Sequence, residues 1–341
     1  MKQIFNNATW AIVALFSLAL ASCKNDNQEF PDYEGGTSVY FAHQAVERTL
    51  VLGYDEENAN ALDRQHKCQI ISTMGGSYGG ADIMVNVAID NSLCENLYFS
   101  DGSPVVAMPS DYYQLGSTSL NYGGSCFGRL EVQFTDAFFS DPKALTATYV
   151  IPVVIKNQTG AGRILSGTPL FEDQTPVRTN SELWSTTPQD YVLYCVKYVN
   201  PYHGYWLRRG VDQIAGSRSA RHASSVEKDE ICTTVTTGLS TVKYVTASVA
   251  GKSYELQLTF ASDGTCSVSS LTSGVTASGT GHFGDKTEKK AWGNKDRDAI
   301  YLDYTINDGS ATISTQDTLV WQRHGVSSAV AEFSPVYKGN D

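Results

Sequence analysis

The chain has 341 residues, which is long enough for two domains of ordinary size. It carries 25 lysines and arginines against 36 aspartates and glutamates, so its formal net charge is −11. A protein that binds nucleic acid needs a basic surface for the phosphates, and no basic run here is longer than the pairs Arg208-Arg209 and Lys289-Lys290. Nucleic acid is therefore not among the expected partners.

The N-terminal segment has the pattern of a bacterial lipoprotein export signal. Lys2 supplies a positive charge, an apolar run extends from Trp10 to Ala21, and the small residue Ser22 precedes Cys23. A membrane-spanning helix needs about 20 apolar residues, and this run is shorter. We therefore expect residues 1–22 to be removed and Cys23 to carry acyl chains that anchor the protein to a membrane.

Residues 23–36 are polar, acidic and end in two glycines, so they are predicted to form a flexible tether with little to bury. Acidic residues shortly after the cysteine, here Asp26 and Glu29, resemble the signal that sends Bacteroidetes lipoproteins to the outer face of the outer membrane. This resemblance implies a protein that is lipid-anchored in the outer membrane and faces the cell exterior.

Alternation of apolar and polar residues recurs along the chain and predicts half-buried β-strands. The pattern is clearest over Ser253–Phe260, and it recurs over Ile83–Ile89, Leu130–Phe134, Ile300–Ile306 and Asp317–Arg323. No window of about a dozen residues shows an apolar helical stripe with caps. Short strands separated by Gly, Asn, Asp and Ser are typical of antiparallel sandwiches and barrels, so the fold class is predicted to be all-β.

One long stretch without periodicity, residues 158–188, is rich in Gly, Pro, Ser and Thr and is predicted to be a linker. It separates a first domain over residues 37–157 from a second over residues 189–341. Each domain is large enough to bury a core of its own.

The six cysteines after Cys23 allow two interpretations, and their spacing does not decide between them. An even number in an exported protein is compatible with disulfides, whereas buried free thiols would serve as small apolar side chains. There is no C-x-x-C, so neither a zinc site nor a thioredoxin-like motif is indicated. The residues concerned are Cys68, Cys94, Cys126, Cys195, Cys232 and Cys266.

Four segments resemble a family of two-domain Bacteroidetes surface lipoproteins. Met108–Leu115 and Tyr149–Ile155 are similar to its N-terminal domain, which is also found in front of chitinase-type endoglycosidases. Lys197–Gly210 and Asp317–Arg323 are similar to the opening and closing strands of its C-terminal domain. The resemblance implies an immunoglobulin-like β-sandwich followed by an antiparallel β-barrel or sandwich. It also implies a glycan-binding accessory of a polysaccharide-utilisation locus, with the importer's lipoproteins as possible partners.

An aromatic cluster with hydrogen-bonding neighbours is the strongest candidate for a glycan site, because sugar C–H faces stack on rings while hydroxyls bond at the rim. The alternative is that these residues fill the core of a strand that follows an Asn-Pro turn. Trp184 and Trp292 lie in predicted loops, where binding residues are more frequent. The candidate glycan-binding residues are Tyr202, His203, Tyr205, Trp206, Arg208 and Trp292.

Neither a metal site, a cofactor nor catalysis is predicted. Asn294, Asp296 and Asp298 are spaced like the first ligands of a calcium loop, but Ala299 stands where the turn glycine belongs. The six histidines belong to no catalytic motif, and two small β domains leave little room for a typical glycosidase. A structural or adhesive protein that acts through protein interfaces is the alternative function. A hydrolase with paired carboxylates is a more remote one.

Overall fold

The structure is a computed structural model that describes residues 31–56, 58–171, 176–249 and 252–339. The predicted signal, the predicted lipid attachment at Cys23 and most of the predicted tether lie outside these residues. Within the described ranges, no helix is long and apolar enough to cross a membrane. The chain is nearly all β-strand, with 7% helix, which confirms the predicted fold class.

The described residues up to Val199 form fourteen strands of the first unit and little helix. One short helix, α1 (Asp136–Ser140), and single turns of 3-10 helix at Asp63–Gln65, Asn91–Cys94, Pro142–Leu145 and Ser181–Leu183 join them. The strands are β1 (Ser38–Tyr40), β2 (Ala45–Val51), β3 (Lys67–Gly75), β4 (Met84–Ile89), β5 (Leu97–Tyr98), β6 (Val106–Ala107), β7 (Tyr113–Leu115), β8 (Ser119–Asn121), β9 (Phe127–Phe134), β10 (Tyr149–Thr159), β11 (Arg163–Ile164), β12 (Thr168–Pro169), β13 (Trp184–Thr186) and β14 (Tyr191–Val199).

Two sheets form a sandwich in this unit. One has the order β11-β1-β3-β9-β7, and the other contains β2-β14-β10-β4-β8. One hydrophobic core takes side chains from both sheets, such as Ile70 and Val132 from the first sheet and Val85 and Ile151 from the second. Burial of these alternating side chains holds the sheets together. A second cluster, which includes Val150 and Leu193, covers the other face of the second sheet.

Strand β14 corrects the predicted domain boundary at residue 189. The prediction assigned Tyr191–Val199 to the second domain, but this strand pairs antiparallel with β10 and parallel with β2, in the middle of a first-unit sheet. All its residues except Lys197 are buried. A strand that is covered on both faces shows a continuous apolar run, and such a run does not reveal which sheet it joins. The predicted linker contributes the short strands β11, β12 and β13.

The second unit is a closed antiparallel barrel of eight strands. The barrel order is β15-β17-β18-β19-β20-β21-β22-β23, and β23 pairs with β15 to close the barrel. Strand β16 also pairs with β15, with which it forms a hairpin. A 3-10 turn at Val226–Lys228 precedes β17. The strands are β15 (Gly204–Ile214), β16 (Ser217–Arg221), β17 (Glu230–Gly238), β18 (Thr241–Val249), β19 (Lys252–Phe260), β20 (Thr265–Ser270), β21 (Thr276–Trp292), β22 (Lys295–Asn307) and β23 (Thr312–Arg323).

Alternation along the barrel strands matches the sequence prediction. In β19, the apolar side chains of Tyr254, Leu256, Leu258 and Phe260 are buried in the barrel core. The intervening polar side chains are exposed or partly exposed. The alternation of apolar and polar residues therefore predicts which side chains of a strand face the barrel core.

After the barrel the chain returns to the first unit. Strand β24 (Ala331–Glu332) pairs with β2, and β25 (Val336–Tyr337) pairs with β5. The barrel is therefore attached to the sandwich through both of its chain ends. This double attachment places the end of the barrel at Gly204 and Arg323 beside the first unit.

All six cysteines in the described residues are free thiols. Five are buried, and Cys126 is partly exposed. Burial raises the pKa of Cys68 and of Cys195 to about 12, so these thiols stay protonated and unreactive. The cysteines thus act as small apolar side chains, which is one of the two interpretations that the sequence left open.

Candidate ligand-binding site

Two of the predicted glycan-binding residues lie inside the barrel. Trp206 has no exposed surface, and its Nε1 donates a hydrogen bond to Thr234 Oγ1 at 2.8 Å. Arg208 is 1% exposed, and its Nε donates to Asp317 Oδ2 at 3.2 Å. Neither side chain can reach a ligand at the surface, so the prediction is wrong for these two residues.

Tyr202 and His203 mainly hold the turn at the end of the barrel. The Tyr202 ring stacks on Phe260 with 3.6 Å between the ring centroids. His203 Nδ1 accepts a hydrogen bond from the backbone N–H of Thr236 at 3.1 Å. Burial lowers the pKa of His203 to about 4, with a smaller contribution from the neighbouring His324, so the ring is neutral at pH 7.

A cavity with a volume of about 610 Å³ lies where the two units meet. Three separate segments line it: the loop after β2, the β21–β22 hairpin, and the end of β23 with the residues after it. Of the predicted glycan-binding residues, Trp292 lines this cavity. The full lining is Asp55, Glu56, Asn58, Trp292, Lys295, Arg297, Trp321, Gln322, Arg323, His324, Gly325, Val326 and Ser327.

Trp292 is fixed in the cavity wall by two contacts. Its Nε1 donates a hydrogen bond to the carbonyl oxygen of Trp321 at 2.9 Å. The guanidinium of Arg297 lies over its ring at 3.6 Å from the centroid. The Arg297 side chain is only 6% exposed, and its Nε has no hydrogen-bond partner among the described residues. The wall therefore combines a held aromatic ring with a buried, partly unsatisfied cation.

Glu56 of the first unit is paired with two basic residues of the barrel. Its carboxylate lies 2.9 Å from Lys295 Nζ and 3.3 Å from Arg297 Nη1. Burial alone would raise the pKa of Glu56, but the hydrogen bond from Lys295 and the positive charges of Arg297, Lys295 and Lys286 outweigh burial and lower it. Glu56 is thus ionised at pH 7 and ties the two units together at the cavity.

His324 makes a second link between the units. Its Nδ1 lies 3.1 Å from the carbonyl oxygen of His203, and its Nε2 lies 3.0 Å from the carbonyl oxygen of Tyr54. Both partners are acceptors, so each contact is a hydrogen bond when the ring nitrogen that makes it carries the hydrogen. Trp321 packs edge-on against the same imidazole at 4.3 Å. The loop carrying Tyr54 is therefore attached to the end of β23.

Tyr205, another predicted residue, lies at the edge of this region. It is half-buried, and the guanidinium of Arg323 lies over its ring at 4.5 Å from the centroid. Arg323 is exposed, lines the cavity, and makes no ion pair within the described ranges. The structure thus brings Tyr205 and Trp292 to the same junction, each covered by an arginine.

A second cavity of about 450 Å³ adjoins the first and shares Glu56 and Lys295 with it. The ammonium of Lys286 lies over the Tyr54 ring at 4.7 Å from the centroid. The second cavity is lined by Tyr54, Glu56, Lys286, Lys290, Asn294, Lys295 and Asp296.

The residues that resemble a calcium loop shape the β21–β22 hairpin. Asp298 accepts a hydrogen bond from the backbone N–H of Lys286 at 2.8 Å, and Asp296 accepts one from that of Lys290 at 3.0 Å. Both lysines have positive φ angles, so these carboxylates hold two unusual backbone positions. No group of three potential metal ligands is found in the described part of the chain.

Both tryptophans that were predicted to lie in loops belong to strands, because Trp292 ends β21 and Trp184 begins β13. Trp184 lies away from the junction. Its Nε1 donates to the carbonyl oxygen of Val177 at 2.9 Å, and it lines neither junction cavity. Sequence reasoning missed Glu56, Lys295, Arg297 and Arg323. Lys295 and Arg297 follow Trp292 closely in the sequence, and Arg323 ends the closing strand. Glu56 lies far from both in the sequence, so no local signal could have indicated it.

Two protein-family models match the chain. A domain of unknown function, DUF5627, matches residues 201–325, and a model described as a "-like, N-terminal domain" matches residues 32–162. The first range covers the barrel, and the second covers most of the sandwich but ends before β14. No curated protein matches the chain.

Among solved structures, the chain is similar to a structural-genomics protein of unknown function from Bacteroides ovatus. The two are 42% identical, the match covers 90% of this chain and 100% of that one, and the TM-score is 0.81. A multidomain protein including DUF1735 from Bacteroides ovatus is 12% identical, with 85% and 96% covered and a TM-score of 0.38. An auxiliary nutrient binding protein from Bacteroides thetaiotaomicron is 13% identical, with 81% and 89% covered and a TM-score of 0.31.

The two distant proteins superpose too poorly to inform on what this chain binds. The Bacteroides ovatus protein of unknown function, in contrast, is similar to this chain in both sequence and fold over nearly the whole length. The chain therefore belongs to the same family of two-domain proteins as the Bacteroides ovatus protein of unknown function.

Proposed function

We propose that this protein is a lipid-anchored protein of the outer cell surface that binds a glycan in the junction cavity, as an accessory of a polysaccharide uptake system. Catalysis is not part of the proposal. The observation that carries it is the cavity itself, whose volume of about 610 Å³ lies within the usual range for ligand sites, about 300–1,000 Å³.

The chemistry of the lining supports a sugar ligand. Trp292 and Trp321 offer ring surface, while Glu56, Asn58 and Gln322 offer hydrogen-bonding groups in the same wall. Sugars present C–H faces to rings and hydroxyls to polar side chains, and the hydroxyls both donate and accept. Trp292, Glu56 and Asn58 are already held by contacts within the protein, so these side chains lose little conformational freedom on binding.

Affinity electrophoresis on a broad panel of polysaccharides tests the proposed site, using the chain from Lys24 onward. Trp292→Ala is expected to abolish the retardation caused by the glycan that binds. Trp184→Ala is the matched control, because it removes a tryptophan that lines neither cavity. Absence of retardation by every glycan in the panel would argue against the proposal, and so would equal retardation of the two variants.

The anchor is tested separately in cells. Radiolabelled palmitate is expected to label the wild-type protein, and Cys23→Ala is expected to remove the label. Protease added to intact cells should then degrade the wild-type protein if it faces the exterior. Labelling that persists in Cys23→Ala would contradict the assigned attachment site.

One observation favours a second candidate, a structural or adhesive protein that binds other proteins. An apolar cavity of about 250 Å³ opens on the sandwich, and the side chains of Ile71, Phe127 and Val330 at this cavity are exposed. Exposed apolar groups of this kind occur at protein interfaces. If this candidate is correct, Phe127→Ser should weaken binding to a purified lipoprotein of the uptake system, measured by biolayer interferometry, and Trp292→Ala should not.

A further inference from the structure

Two arginines at the junction are held flat against aromatic rings. Arg297 lies over Trp292 and Arg323 lies over Tyr205, with 3.6 Å and 4.5 Å between guanidinium and ring centroid. Stacking fixes the plane of a guanidinium and leaves its N–H edge available. That edge is a rigid fork, which matches the two oxygens of a carboxylate or of a sulfate group.

The acidic side chains of the two cavities are engaged within the protein. Glu56 pairs with Lys295 and Arg297, as described above. Asp296 pairs with Lys289 at 3.0 Å and accepts from the backbone of Lys290. Asp55 accepts hydrogen bonds from the backbone and side chain of Asn58.

Several basic side chains of the same cavities are not engaged in this way. Lys286, Lys290 and Arg323 enter no ion pair within the described ranges, although each lines one of the two cavities. Arg297 keeps its buried Nε without a hydrogen-bond partner there. A buried N–H group without a partner is costly, and an anionic ligand oxygen would satisfy it. The junction therefore offers unused positive charge on a chain whose net charge is −11.

We propose that the glycan bound at the junction is acidic, and that a carboxylate or sulfate of the saccharide is bound by Arg323 together with Arg297. This inference rests on the proposed function and narrows its ligand to one chemical class. Lys286 and Lys290 extend the basic surface along the second cavity, which suits a polymer carrying repeated acidic groups.

The test compares acidic polysaccharides with neutral counterparts of the same backbone. Polygalacturonate and hyaluronan are each paired with their carboxyl-reduced forms, and dextran sulfate is paired with dextran. The first two pairs report on carboxylate and the third on sulfate. Binding to the chain from Lys24 onward is measured by affinity electrophoresis and by isothermal titration calorimetry. The acidic member of at least one pair is expected to bind at least about tenfold more tightly than its neutral member.

Substitutions then test which protein residues bind the acidic group of the saccharide. Arg323→Gln should weaken binding of the acidic polysaccharide about tenfold or more, because a charged hydrogen bond is lost. Arg323→Lys should restore only part of it, since lysine keeps the charge but lacks the planar fork. Lys228→Gln is the matched control, because it removes one exposed positive charge that lines neither cavity. Arg323 is exposed, so these variants should melt at the wild-type temperature.

The outcomes separate this inference from the proposed function. If a neutral glycan binds as tightly as its acidic partner and Trp292→Ala abolishes that binding, the acidic class is wrong and the glycan site stands. If an acidic polysaccharide binds but Arg323→Gln and Lys228→Gln weaken it equally, the binding reflects general charge and the assigned residues are wrong. If no glycan is bound at all, the proposed function fails as well.

Discussion

Asp317 is the centre of a buried polar network inside the barrel. Its side chain has no exposed surface and accepts hydrogen bonds from four side chains. Arg208 Nε lies at 3.2 Å, Arg221 Nη2 at 2.8 Å, Tyr244 Oη at 3.1 Å and Tyr304 Oη at 2.7 Å. A buried arginine is tolerated only when a carboxylate balances its charge, so Asp317 explains why Arg208 can lie in the core.

Asp317→Asn should therefore destabilise the protein strongly. Removing one partner of a buried ion pair leaves the other charge unbalanced, and the expected loss is about 3–5 kcal/mol of the free energy of unfolding. Urea denaturation followed by circular dichroism measures it. The control is Asp303→Asn on the exposed face of β22, where Asp303 only accepts from Gln316, and a change below about 0.5 kcal/mol is expected. Equal midpoints for the two variants would refute the role of Asp317.

This network also shows where residue-level prediction fails. Trp206 and Arg208 are two residues apart in a strand and therefore share a face, but spacing alone does not show whether that face lies inside. The partners that settle the question, Thr234 and Asp317, come from other strands of the barrel. A sequence shows a polar residue in a strand and does not show the counter-charge that allows its burial.

At the scale of elements, the closing seam between β15 and β23 depends on a glycine. Gly204 has a φ angle of +149°, and a Cβ built there would lie 2.5 Å from the carbonyl oxygen of Arg323 and 2.9 Å from the Trp321 ring. Both neighbours belong to the strand that closes the barrel. The Asn-Pro-Tyr-His-Gly segment thus serves the seam, which is the structural interpretation of that motif.

Gly204→Ala should accordingly weaken the seam. The added methyl group overpacks against backbone, and a loss of about 1–3 kcal/mol in the free energy of unfolding is expected. Gly79→Ala is the control, because its Cβ would meet only Ser77 Oγ at an ordinary 3.7 Å. Thermal melts of the two variants give the comparison, and a melting temperature for Gly204→Ala as high as that of Gly79→Ala would show that the seam has room for a side chain.

Alternation predicted individual strands well, as in β4, β19 and β22, because each has one face in a core. It did not predict the partners of a strand. Nearly every residue of β14 is buried, so its nine residues show no alternation that could assign the strand to a sheet. Strand pairing is a long-range property, and β14 pairs with β2 at a sequence separation of 148 residues, as between Leu193 and Ala45.

At the scale of the whole molecule, two chain connections and the contacts of Glu56 and His324 hold the units together. The cavity exists only because the loop after β2 meets the end of the barrel, across more than 230 positions of sequence between Glu56 and Lys295. Sequence analysis singled out Trp292, although it expected a loop there and the residue ends β21. It could not predict the cavity, because the residues that line it come from three separate segments of the chain.

The Glu56 contact should make the link between the units sensitive to pH. The pKa of Glu56 is lowered in the folded protein, so its contribution is present above the ordinary glutamate pKa, about 4.3, and is lost as the pH falls through the folded value. Glu56→Gln should cost less than about 1 kcal/mol of the free energy of unfolding at pH 7, because the pair is partly exposed. The difference from wild type should shrink towards pH 3.

Urea denaturation at the two pH values measures this difference. Glu227→Gln is the control, because Glu227 is exposed in the turn before β17 and lines neither cavity. A deficit of Glu56→Gln that is as large at pH 3 as at pH 7 would mean that the ion pairs are not its cause.

Hydrogen–deuterium exchange with the bound glycan tests the central claim, a glycan site at the junction of the two units, most directly. With saturating glycan, amide protection should increase in three separate segments, residues 53–58, 292–297 and 321–327, and should not change around Trp184. Protection confined to the sandwich, or spread along the outer wall of the barrel while these three segments exchange as before, would contradict the account.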